Sequence, residues 1–170
     1  MKKKLERDLV ILIACAAFIL LSFDGDDNTR VEIDELALAL AASRERALET
    51  SDLGQSLAKS VATLLANQAV DFKAYPVVFA ATCASAGIDK RSGLLALMQA
   101  FSNNLITVAV RLVPLGQSRG LEIMRDLMPV IVATVERAMT ASLDDLGSST
   151  FLSDIAAMKH ETQYSRVFRS

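Results

Sequence analysis

A chain of 170 residues, 52% apolar but only 5% aromatic, is long enough for one real core, and its excess of Ala and Leu over Val, Ile, Thr and Tyr favours helices over strands. Basic and acidic side chains number 18 and 20, for a net charge of −2, and form no long block of one sign after the first four residues, which argues against a polyanion-binding protein. Two separated cysteines, Cys15 and Cys83, and one histidine give neither a disulfide frame nor the N/S ligand set of a metal site, so both thiols are expected to be buried small hydrophobes in a reduced compartment.

Taken in order, MKKKLERD and the uncharged run LVILIACAAFILLSF resemble a basic flank and an apolar signal region. Glu6 and Asp8 interrupt the flank, the apolar run continues well past Cys15 with no A-x-A site following before the acidic DGDD, and the run is shorter than the roughly 20 residues that span a bilayer. A buried core helix is therefore expected, with a membrane-anchored or exported adaptor using residues 1–23 as the alternative. A turn is expected at residues 24–29, then a helix through VEIDELALALAA to about Ala42. Ser43 is placed to cap the next helix, whose Leu53, Leu57, Val61, Leu64 and Leu65 recur at helical spacing.

After a loop at residues 67–75, Pro76 suits a first helical turn and Gly87 a left-handed stop. Asp89 should cap a long helix with Leu94, Met98, Phe101, Leu105, Val108 and Leu112 as its buried stripe and Asn103 and Asn104 on its exposed face. Pro114 and Gly116 end that helix, and Arg111 in its last turn complements the carbonyl end of the dipole. The following helix carries Met124, Leu127, Met128, Ile131, Val135 and Met139 on one side, with a kink expected at Pro129. A loop at residues 142–150 leads to a short helix from Phe151 to Met158, with Thr150 at its N-terminus. The fold class expected is all-α: one irregular single-domain helical bundle over residues 1–170.

Chemistry is sparse. Ser56 and Lys59 fit S-x-x-K, but the companion S-D-N and K-T-G patterns are missing, and a serine hydrolase is rejected. Phosphate-loop, H-E-x-x-H and paired-cysteine motifs do not occur, so an enzyme is not expected. The ending KHETQYSRVFRS is different: it gathers His160, Tyr164, Arg166, Phe168 and Arg169, and Tyr and Arg are frequent interface anchors. Composition alone leaves open a tail that orders on a partner and a merely solvated terminus.

KHETQYSRVFRS resembles the C-terminal signature HE-x-x-YSR-x-F-x-S of the urease accessory UreF family, matched here by His160, Glu161, Tyr164, Ser165, Arg166, Phe168 and Ser170. RLVPLGQSRG is similar to the family's [KR]-L-V-P-[FL]-G-Q turn, YPVVFAATCASAGI to its Y-P helix, and SRERALETSDLGQSL, more loosely, to its S-x-E-x-R-x-E segment. The family's usual first segment, with P-[IV]-G-x-[YF]-S-x-S-x-G-L-E, has no counterpart, so the N-terminal part of the domain is expected to be missing and residues 9–23 to be an internal core helix of the family.

The resemblance implies a cytoplasmic, non-enzymatic nickel-insertion chaperone and scaffold that binds UreD (UreH), recruits and regulates the GTPase UreG, and serves apo-urease, as a homodimer in the complex. No cofactor is bound directly, nickel being handled by the partners; nucleic acid and membrane are not expected partners. Residues 151–170 become a docking tail, with Arg166 and Tyr164 facing UreD beside Ser165, and His160 and Glu161 ordering the turn into it. Arg111 and Gln117 are the UreG-facing candidates.

Overall fold

The computed structural model describes residues 22–23, 25–64, 71–113, 115–140 and 151–164. Outside them fall residues 1–21 with Cys15, and with them nearly all of the first apolar run and both of its readings; Pro114, the loop before α6 with Thr150, and the tail residues Ser165 and Arg166 lie outside them too. The described chain is α1 (Asp27–Ala39), α2 (Arg44–Leu64), α3 (Tyr75–Ser85), α4 (Lys90–Leu112), α5 (Gln117–Ala138) and α6 (Phe151–His160), with no strand among the described residues. The all-α expectation holds.

Local chemistry sets most helix ends. Ser43 accepts from the Arg46 amide at 3.2 Å and Asp89 from the Ser92 amide at 3.0 Å, each satisfying a donor that the first helical turn leaves open. Gly87, at φ 69°, closes α3: its amide donates to the Ala84 carbonyl at 3.1 Å and that of Ile88 to the Cys83 carbonyl at 2.9 Å, the pair of bonds of a Schellman stop. The turn expected at 24–29 is shorter than its composition suggested. Asp26 accepts from the Thr29 amide at 2.8 Å and so starts α1 at Asp27. α5 continues through Pro129, which remains inside the helix.

The main core joins three helices and Phe23. Ala80 and Cys83 of α3 meet Leu94, Leu97 and Met98 of α4 and Ile131, Val135 and Ala138 of α5. Burial pushes the Cys83 thiol up from its ordinary range, so it packs as a protonated small hydrophobe. A smaller cluster sets Ile33 of α1 against Ala74 and Val77 at the start of α3.

Between α1, α2 and α3 lies a polar knot. The buried carboxylate of Asp34 accepts from the amides of Lys73 (3.1 Å) and Ala74 (2.7 Å), and Thr50 Oγ1 accepts from that of Tyr75 at 3.2 Å. Side chains from two other helices thus satisfy the open amides around the start of α3, where Ala74 offers no side-chain cap. α2 can come this close because residue 54 is glycine; a Cβ there would overlap the Lys73 carbonyl oxygen.

The apolar stripes are buried over only part of their expected length. Leu53, Leu105, Leu112 and Met139 are exposed, although their spacing places them in those stripes. In α4 the buried residues run from Gly93 to Ser102 and stop, because the α3 residues that share its core, Ala80 and Cys83, meet only its first half. α4 is, among the described helices, the one long and apolar enough to cross a membrane by length and composition; here its first half is a core helix.

Candidate functional site

Two surfaces carry the residues singled out by sequence, and the better built is the C-terminal one. α6 extends through His160, two residues further than expected, and ends in a turn in which Gln163 donates its amide to the His160 carbonyl at 3.1 Å. Among the described elements α6 packs against α2 alone. His160 Nδ1 stands 2.6 Å from Glu45 Oε2. An ionised carboxylate only accepts, so the imidazole donates in this pair. Next to it, Glu161 Oε1 accepts from the Arg44 amide at 2.6 Å and lies 3.4 Å from the Glu45 amide.

These contacts complete the start of α2. Its first two amides find a carboxylate from 116 and 117 residues away along the chain, and the third finds Ser43. Negative charge is favoured there by the helix dipole as well as by the open donors. Glu45 was not recognised from sequence as a site residue, since its partner is remote in the chain; the signal within reach was its place in the SRERALE segment.

Beyond the turn, Tyr164 is fully exposed, at 107% of its reference surface. Leu152, Ile155 and Met158, spaced three apart along α6, are exposed too, Leu152 at 86%. The described tail is therefore fastened to the body by polar contacts while it presents apolar and aromatic side chains to solvent. Ser165 and Arg166, the other tail candidates, lie outside the described residues.

The second surface is the turn between α4 and α5. Arg111, in the last turn of α4, and Gln117, the first residue of α5, are both exposed, and Leu112, Val113 and Leu121 around them are exposed as well. Gly120 lets the two helices close: a Cβ there would stand 3.2 Å from Ile106 and from Val110. The structure brings Arg111 and Gln117 to one turn, and it brings His160 and Glu161 to another place, on α2. Ser56 and Lys59 are exposed on α2, and among the described residues no group of three or more His, Cys, Asp or Glu is placed to hold a metal ion.

Comparison with known proteins bears on both surfaces. The UreF family model matches residues 8–128, a stretch that takes in Arg111 and Gln117 and ends before α6. The urease accessory protein UreF of Bradyrhizobium sp. (strain BTAi1 / ATCC BAA-1182) is 39% identical over 153 residues, covering 86% of this chain and 64% of the relative. That of Rhodopseudomonas palustris (strain TIE-1) is 39% identical over 158 residues, with 85% and 64% covered. In Brucella ovis (strain ATCC 25840 / 63/290 / NCTC 10512) the protein of the same name is 42% identical over 161 residues, with 93% and 70% covered. The chain thus spans a little under two thirds of the first two relatives. With most of its length matched by the family model and identities near 40%, the chain belongs to the UreF family.

Proposed function

We propose that this chain is a non-enzymatic accessory protein of urease maturation, which docks on UreD (UreH) through its C-terminal tail and on the GTPase UreG through the turn bearing Arg111 and Gln117. The observation that carries the reading is the state of the tail in a UreF-family chain: polar contacts hold it on α2, and Tyr164, Leu152, Ile155 and Met158 are left exposed. An aromatic and apolar surface on a pre-positioned segment suits protein recognition, because part of the ordering entropy is already lost before the partner arrives.

Regulation of UreG follows from binding alone. A scaffold that holds one conformation of the GTPase better than another shifts its population by that difference in affinity, without chemistry of its own. Nickel then stays with the partners and reaches apo-urease through the complex, in the cytoplasm, with the scaffold as a homodimer and no cofactor of its own.

The test is co-purification with UreD of the intact chain, its Arg166→Ala variant and a version ending at Ser153, each checked for folding by circular dichroism. Capture of the intact chain and loss of both others is expected. Equal capture of all three would remove the tail from the interface, and recovery of the protein in a membrane fraction would overturn the cytoplasmic reading.

A further inference from the structure

We propose that the first turn of α2 is a receptor for the chain's own tail, and that Glu45 is a positioning residue which fixes where the tail leaves the body. The contacts form a two-point latch. His160 and Glu161 are adjacent in the tail, and their partners, the Glu45 carboxylate and the amides of Arg44 and Glu45, are adjacent in α2. One contact would locate the tail; two, on different atoms of neighbouring residues, also orient it.

α6 depends on contacts outside itself. Its 10 residues fall short of the roughly 12 to 15 that make even a good helix former marginally stable alone. Leu152, Ile155 and Met158 contribute little burial because they are exposed. His160 and Glu45 keep about a third of their side-chain surface in solvent, at 32% and 31%, so water can compete for the latch and it can open. A segment held this way is presented to a partner at a fixed site yet is free to be remodelled by it. The latch also gives the SRERALE segment a task that the tail signature does not state.

The latch itself is tested on the free chain by hydrogen exchange, comparing the wild type with Glu161→Ala, Glu45→Ala and Glu45→Gln, all confirmed folded by circular dichroism. With Glu161→Ala, the amides of Arg44 and Glu45 should exchange about tenfold faster, as befits donors that lose a charged acceptor. With Glu45→Ala, the α6 amides should speed up by a similar factor, and Glu45→Gln, which keeps an acceptor for His160, should fall between. Unchanged exchange of α6 in Glu45→Ala overturns the latch.

The positioning role rests on the docking reading above, and capture of UreD separates the two. Weaker capture by Glu45→Ala, with faster α6 exchange, supports that role; equal capture with faster exchange overturns it. If the wild type captures no UreD, the docking reading fails and the positioning role with it, while the latch stands or falls on exchange alone.

Discussion

At one end of the α4–α5 pair, Leu94, Leu97 and Met98 meet Ile131, Val135 and Ala138 under the cover of α3; at the other, Leu105, Leu112 and Leu121 stand in solvent, Leu121 at 73% exposure. Both ends are written in the same helical periodicity. The covered end is also finished by polar chemistry: Asp89 caps α4, and Arg91 reaches Glu136 on α5 at 2.8 Å. The open end has Gly120 at the helix contact and the Arg111–Gln117 turn beyond it. An apolar stripe therefore specifies which side of a helix is able to pack, and its neighbours decide how far along the helix packing goes.

The largest effect should come from the covered end. Leu94 has no exposed surface, so Leu94→Ala removes a side chain from a site enclosed by α3 and α5, and about 2–5 kcal/mol of stability should be lost. Urea titration followed by circular dichroism measures it; a loss below about 1 kcal/mol would mean that this end collapses around the gap. Asp34→Ala should follow, at about 1–3 kcal/mol, because the amides of Lys73 and Ala74 would lose their acceptor inside the protein. Asp34→Asn keeps one accepting oxygen and should lose less, measured in the same way.

The helices, their caps and the covered core were legible in the sequence because each rests on residues a few positions apart: Ser43 with Arg46, Asp89 with Ser92, Gly87 with Ala84. The early start of α1 was missed because Asp26, a cap, sits among other turn-forming residues. The open ends of the stripes could not be read, since periodicity names a face without naming what covers it. The tail shows the same limit more sharply. Resemblance pointed to His160 and Glu161, but that Glu161 completes the start of α2 depends on a contact 117 residues long in sequence, which no local pattern encodes.

A smaller effect concerns the Asp89 cap at the covered end. The Ser92 hydroxyl and amide hold its carboxyl below the usual aspartate range. A group with a lowered folded-state pKa stabilises the fold above its unfolded value and ceases to do so as pH falls through the folded one. Wild type and Asp89→Ala should thus differ in urea midpoint at pH 7, and the difference should shrink as pH falls below an unfolded aspartate value of about 3.9 and through the lower folded one. A difference that does not shrink in acid would place the effect in the hydrogen bonds that the neutral carboxyl still accepts, and not in its charge.

The smallest effect belongs to the open end. Leu112→Ala takes away a side chain that is 60% exposed, so little apolar surface returns to water and stability should change by no more than about 0.5 kcal/mol. Measured beside Leu94→Ala, it sets two leucines of one helix against each other with chemistry held constant, so that any difference reports the neighbours alone. A loss approaching that of Leu94→Ala would show that the open end is covered in solution. If that loss grew with protein concentration, the cover would be a second copy of the chain, because only an intermolecular contact gains stability by mass action.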